Sequence, residues 1–268
     1  MEASKPLQTT AGDACGPEEE AKKMAAAAQD VNHLTDIRLV VLGWRWPGKS
    51  LTGNTILGRE EFHLERAAEF CVKRQADVGA RQVTVVDTPG WFSTQDTPAS
   101  YKQELVRGAS LCPPGPHAFL LVIPVGMFTE VDRVRIEEHV SLFGEQVWKH
   151  TIVVFTWADV LRTISIERYI RREGKELQWV LEKCKKRYFV INNSIPLFEE
   201  HPQVGHLLKK VEKMVAEEEG HYNLEVEKKS LEENKNAAKE VRDLGARPKQ
   251  NSGLDLSKTK EVESLSSE

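Results

Sequence analysis

Three short stretches carry residues whose types and spacing could do chemistry. The first is GWRWPGKS, residues 43–50, in which Gly43, four residues and then Gly48-Lys49-Ser50 make the frame G-x-x-x-x-G-K-[ST]. Loops of this pattern wrap backbone N–H groups around phosphates, the lysine reaches the β- and γ-phosphates, and the hydroxyl helps hold Mg²⁺. Trp46 in the wall of the loop and Leu51 just after it complete the phosphate-side set. The second is VVDTPGW, residues 85–91. Asp87 places a carboxylate beside the metal, so Ser50 and Asp87 are the candidate metal residues, and the Gly90 N–H can meet a γ-phosphate, which makes the following loop a sensor of nucleotide state. The third is FTWAD, residues 155–159. Asp159 can accept from the guanine N1–H and 2-amino groups, which adenine cannot offer. Thr156 and Trp157 stand beside it, the indole suited to stacking on a base.

These residues need a scaffold that brings them to one edge. IRLVVLG (37–43), RQVTVVD (81–87), AFLLVIP (118–124) and TIVVFT (151–156) are apolar, β-branched runs that read as strands buried on both faces, with RYFVI (187–191) a fifth. Between them lie helical patterns: one from Lys49, then PASYKQELVRGASL, EVDRVRIEEHVSLFGEQVW and SIERYIRREGKELQWVLEKC. In the third pattern Val131, Val134, Val140, Leu142 and Phe143 are expected to form the buried face. Strands alternating with amphipathic helices predict an α/β fold, a mainly parallel sheet flanked by helices, with ligands beyond the carboxyl ends of its strands. All three candidate loops follow a strand. QVGHLLKKVEKMVAEEE adds a C-terminal helical extension.

The organisation read from this texture is a flexible arm over 1–34, one domain over 35–218, and a charged, largely disordered tail with a helical stretch over 219–268. The formal net charge of −4 gives no general affinity for nucleic acid. Four dispersed cysteines, Cys15, Cys71, Cys112 and Cys184, suit reduced thiols in a cytoplasmic protein rather than a zinc site. No apolar stretch reaches the roughly 18 to 20 residues that span a bilayer, and no lipidation or secretory pattern stands out, so direct membrane insertion is not expected.

Taken together the stretches resemble the immunity-associated GTPase (GIMAP) family of TRAFAC-type P-loop GTPases. GKSLTGNTILG resembles that family's extended first motif, and CPPGPHAFLLVIPVGMFTEVDRVRIEEHVSLFGEQVWKHTIVVFT its distinctive central segment. LEKCKKRYFVINN resembles its last motif, whose paired asparagines, here Asn192 and Asn193, lie near the base. The similarity covers about residues 35–218 and is nearest to short, soluble, fish-like members. It implies a P-loop GTPase fold binding GTP or GDP with Mg²⁺, slow or partner-dependent hydrolysis, and a switch or self-assembling scaffold. The implied partner is a second copy or another GIMAP-type G domain.

The chain departs from that pattern in three places. Trp46 and Pro47 stand where the family commonly has glycine and alanine, and Pro47 has no N–H for a phosphate. Between Thr55 and Thr84 there is no Thr or Ser to serve as a first-switch hydroxyl. Trp91 follows Asp-Thr-Pro-Gly, with Gln95 further out, and no catalytic residue is assigned. An interaction protein with a degenerate G domain that has lost nucleotide sensing therefore stands as the alternative, with a P-loop ATPase or small-molecule kinase as a third reading. Arg45 is either an exposed loop arginine or a cation that reaches a γ-phosphate.

Overall fold

The computed structural model describes residues 34–45, 48–65, 68–92, 95–193, 202–227, 229–230 and 232–233. The chain parts into two compact units, residues 1–228 and 229–268. In the second unit the described residues are helical. The expected N-terminal arm and most of the expected charged tail lie outside the described residues.

The first unit is a six-stranded sheet in the order β2-β3-β1-β4-β5-β6. Its strands are β1 (Asp36–Leu42), β2 (Val72–Val78), β3 (Arg81–Asp87), β4 (Ala118–Pro124), β5 (Thr151–Thr156) and β6 (Tyr188–Val190). All neighbours pair in parallel except β2 and β3, which form an antiparallel hairpin. The helices are α1 (Lys49–Leu57), α2 (Ala99–Ser110), α3 (Glu130–Val140), α4 (Ile166–Glu173), α5 (Lys175–Lys183) and α6 (Pro202–Glu217). The sheet carries apolar side chains on both faces, so each needs a cover of helices. Val40, Leu42, Phe119, Leu121, Val153 and Phe155 face one core with residues of α2, α3 and α5. Their neighbours Leu39, Val41, Leu120, Val122, Ile152 and Val154 face the other, under α1 and α6. Strand order reverses about β1, and ligands in such sheets bind at that crevice.

Strand β2 is an addition to the five expected. Its sequence VKRQADV is half exposed along an edge, and Gly79 at φ 61 with Ala80 makes a two-residue turn into β3. Two expected helices are broken by glycines. Gly144 (φ 86) separates two 3₁₀ turns after α3, and Gly174 (φ 101) separates α4 from α5. The buried face of α3 also differs from expectation. Val131 and Val134 are about half exposed, whereas Asp132, Ile136, His139 and Val140 are buried. Polar residues win those places because each has partners: Asp132 closes a capping box with Thr129, and His139 is hydrogen-bonded at both ring nitrogens.

Helix α6 is anchored to the sheet by an ion pair. Glu212, almost fully buried, accepts from Arg81 at 2.9 and 3.0 Å and from the Leu34 N–H at 3.2 Å. Beyond α6 the chain returns to the end of the sheet remote from the candidate loops. Tyr222 is buried edge-on to Phe119, its N–H donates to the Pro116 carbonyl at 3.0 Å, and its hydroxyl donates to the Phe143 carbonyl. Gly115 is required there, because a Cβ would lie 1.8 Å from the Tyr222 carbonyl oxygen. Among the described residues no helix is long and apolar enough to cross a membrane.

Candidate functional site

The loop after β1 and the turn after β3 meet because their strands are parallel neighbours, with Val41 opposite Asp87. Gly43 (φ 154) and Gly48 (φ 83) bound the loop in conformations that glycine adopts readily. Trp46 and Pro47 lie outside the described residues. Helix α1 starts at Lys49, and its first N–H groups and dipole give this point a positive potential. Lys49 is buried, and its Nζ donates to the Trp44 carbonyl at 2.9 Å. Burial lowers its pKa, the Asp87 carboxylate opposes that shift, and Arg45 adds to it.

Ser50 donates its Oγ hydrogen to Asp87 Oδ2 at 2.6 Å, and Asp87 is buried. Burial raises the Asp87 pKa, restrained by Lys49 and by the hydrogen bonds of Ser50 and Thr88. The Thr88 hydroxyl fixes the turn by donating to the Val41 carbonyl at 2.7 Å. Two buried polar atoms here have no hydrogen-bond partner among the described residues: Asp87 Oδ1 and Arg45 Nε. A hydroxyl and a carboxylate oxygen without a partner are hard donors of the kind Mg²⁺ takes. An unpartnered guanidinium N–H close to Lys49 suits an anion. The residues present therefore fit a magnesium-bound phosphate.

Gly90 stands directly against the loop, where a Cβ would lie 2.4 Å from Arg45 Cα. Trp44 and Trp91 form a parallel bridge, and the Arg45 N–H donates to the Trp91 carbonyl at 3.0 Å. The segment between α1 and β2, where a first switch would lie, borders a cavity of about 220 Å³ lined by His63, Glu69, Phe70 and Asp87 among others.

On the far side of β1, the pairing of Phe155 with Val190 puts the ends of β5 and β6 side by side. Thr156 is buried and its carbonyl accepts from Val125 N–H at 2.9 Å. Trp157 holds a left-handed conformation (φ 57) that an indole adopts only under constraint, and it is 44% exposed. Asp159 is exposed, in a 3₁₀ turn over Ala158–Leu161 closed by Arg162 N–H on its carbonyl at 3.2 Å. Asn193 crosses to α1: its Nδ2 donates to Thr52 Oγ1 at 3.1 Å, and its Oδ1 accepts from Thr55 Oγ1 at 3.0 Å. A Cβ on Gly48 would lie 3.8 Å from the same Nδ2. The Asn192 backbone exchanges two hydrogen bonds with the Gln203 side chain, at 2.8 and 2.7 Å.

The structure thus gathers Lys49, Ser50, Asp87 and Gly90 into one cluster and ties Asn193 to the helix that carries it. Leu51 lies in the first turn of that helix. Asp159 and Trp157 sit at the neighbouring strand end with side chains open to solvent. Thr52, Asn54 and Thr55 are residues that sequence reasoning missed. Asn54 is buried inside α1, accepts from the Glu61 and Phe62 N–H groups at 2.9 and 2.8 Å, and donates to the Phe62 carbonyl at 2.8 Å. The available signal was an asparagine inside a helix, a poor helix former that needs a partner when buried.

Comparison with known proteins agrees with this geometry. The profile of the AIG1 family matches residues 37–242. The chain is 35% identical over 191 residues to GTPase IMAP family member 8 of Rattus norvegicus, covering 69% of this chain and 28% of that protein. It is 32% identical over 211 residues to Immune-associated nucleotide-binding protein 13 of Arabidopsis thaliana, covering 75% and 62%. The chain therefore spans little more than a quarter of the rat relative and under two thirds of the plant one. Among solved structures, Toc33 from Arabidopsis thaliana in complex with GDP and Mg²⁺ superposes with a TM-score of 0.58 at 18% identity, covering 76% of this chain and 95% of that one. That likeness shows the P-loop GTPase fold. On the profile match, the relatives and the fold, the chain belongs to the AIG1 family.

Proposed function

We propose that this domain binds guanine nucleotide with Mg²⁺ and serves as a switch or self-assembling scaffold with slow or partner-dependent GTP hydrolysis. The observation that carries this reading is the buried cluster of Lys49, Ser50 and Asp87, with Asp87 Oδ1 and Arg45 Nε left without partners. Both atoms are expensive to bury unpaired, by about 1–3 kcal/mol each, and a magnesium-bound phosphate satisfies both. Ser50 and Asp87 hold the metal, which when bound neutralises charge on the phosphates. Gly43, Trp46, Gly48 and Leu51 bound the phosphate cradle, Lys49 supplies its cation, and Gly90 faces a γ-phosphate. Asp159 accepts from the guanine edge, Trp157 stacks on the base, and Thr156, Asn192 and Asn193 frame the base side. Slow hydrolysis follows from what lies next to Gly90: Trp91 is buried, and Gln95 is exposed rather than turned toward the site. A second copy or another GIMAP-type G domain is the partner that family membership suggests.

The contact of Gly90 with Arg45 favours a second reading, a G domain that no longer senses nucleotide and acts through protein contacts. Calorimetry on nucleotide-stripped protein separates the two. Guanine-nucleotide binding requires that Mg·GDP bind at micromolar or tighter affinity, that ADP compete at least about 100-fold less well, and that Lys49→Ala abolish binding. Absence of GDP binding supports the second reading, and equal competition by ADP removes the guanine assignment.

A further inference from the structure

Resting on the nucleotide reading, we infer that Trp91, Thr97 and His139 set a preference for diphosphate over triphosphate, because they clasp the segment after Gly90 onto the phosphate loop where a γ-phosphate would enter. In a working triphosphate site the phosphoryl group sits between the loop and the Gly90 N–H. Here the two backbones touch. A Cβ on Gly90 would lie 2.4 Å from Arg45 Cα, 2.7 Å from Arg45 N and 2.7 Å from the Trp44 carbonyl carbon. That leaves no room for a tetrahedral group with three oxygens. The Arg45 N–H, a donor a terminal phosphate would want, is spent on the Trp91 carbonyl at 3.0 Å.

The clasp is held from behind. Trp91 is 2% exposed and stacks on His139, with ring centroids 4.9 Å apart and planes 18° from parallel. Trp44 and Trp91 meet Phe128 and Ile136 around a void of only about 10 Å³, the lower limit for one water. His139 is fully buried, and its Nδ1 lies 2.7 Å from the Arg135 carbonyl. A carbonyl only accepts, so Nδ1 carries the proton and Nε2 is left to accept from the Thr97 hydroxyl at 2.8 Å. Thr97 Oγ1 in turn accepts from the Phe92 N–H at 3.4 Å. The Arg45 guanidinium lies 5.1 Å over the Phe92 ring, adding a contact from the loop side. Every polar group of the latch is satisfied in the closed form, so opening it leaves several unpaired. A diphosphate ends at Lys49 and Ser50 and leaves the latch alone. A triphosphate must break the Arg45–Trp91 hydrogen bond and unseat the indole, which together weaken its binding roughly 30-fold.

The test measures affinities of Mg·GDP and Mg·GMPPNP by calorimetry for the wild-type chain, His139→Ala and Thr97→Val. The milder Thr97→Val removes only the hydroxyl joining Phe92 to His139, so it answers if His139→Ala fails to fold. Wild type is expected to favour GDP by roughly 30-fold, and each variant to bring the ratio down about five- to tenfold while GDP affinity stays within about twofold. Amide exchange over residues 43–45 in wild type gives a readout free of mutation, slow with GDP and fast with GMPPNP. Equal affinities for the two nucleotides, or a ratio unmoved in folded variants, overturn the clasp and leave the nucleotide reading intact. Binding of neither nucleotide overturns both.

Discussion

Acidification should loosen the end of the sheet remote from the nucleotide loops, and the size of the effect can be worked from its histidines. His117 and His150 flank the starts of β4 and β5 and are nearly fully buried, with His221 beside His117 at 6.0 Å between ring centroids. The His117 Nδ1 accepts from the Arg38 N–H at 3.0 Å, which requires that nitrogen to be unprotonated. Burial first, then Arg38, with smaller contributions from His221 and His150 and against the pull of Asp36, brings His117 down to about 4. Burial first, with Arg187, His221 and Lys149 adding and Glu218 opposing, brings His150 to about 4 as well. The sign follows directly. A folded pKa below the unfolded value means that the unfolded chain binds more protons, so stability is complete above about 6.5 and is lost as pH falls toward 4. One isolated imidazole so shifted costs about 2 kcal/mol at pH 5. Shared charge within the cluster and residual contact with water roughly halve that, which leaves about 2 kcal/mol for the pair. Asp87, Asp132 and Glu227 are raised by burial and act in the opposite direction. The comparison must therefore be with a variant rather than with wild type alone. Urea unfolding near pH 7 and near pH 5, on wild type and on His117→Gln/His150→Gln, should show the wild type losing about 2 kcal/mol more than the variant. Equal losses in the two proteins would refute the assignment.

Asp159→Asn should leave stability unchanged, since the side chain is exposed and its turn is closed by a backbone hydrogen bond. GDP binding should fall about 100-fold while xanthosine diphosphate improves, because an amide donates to the 2-oxo group of xanthine where a carboxylate cannot; competition assays with the two nucleotides check it. Glu212→Ala should cost about 3–5 kcal/mol, because it strands the buried Arg81 guanidinium and the Leu34 N–H. That corresponds to a thermal midpoint roughly 6–15 °C lower by calorimetry, with Glu212→Gln losing about half as much.

Much of this site could be read from the residues alone because the relevant signals are local. The runs that became β1, β3, β4 and β5 are apolar throughout, and the glycines, Lys49, Ser50, Asp87 and Asp159 sit at their ends. Strand β2 escaped because only Val72, Ala76 and Val78 are even partly buried and the charged residues between them hide the alternation. The inward face of α3 escaped because two of its buried residues, Asp132 and His139, are polar and earn their places from Thr129 and Thr97, contacts that no periodicity records. The seating of Trp91 depends on Trp44 and His139, one more than forty residues away in each direction, so its burial follows from tertiary packing rather than from the turn it occupies. Asn193 could be placed near the base from its motif, but its bonds to Thr52 and Thr55 show that it also fixes the helix that carries Lys49.

The most direct measurement is the identity of the nucleotide released on denaturing the purified chain, by chromatography and mass spectrometry, beside a Lys49→Ala control. Guanine nucleotide close to stoichiometric in the wild type, chiefly GDP, and none in Lys49→Ala is the expected result. Adenine nucleotide, or equal amounts from the two proteins, would contradict a guanine-nucleotide site built on Lys49, Ser50, Asp87 and Asp159.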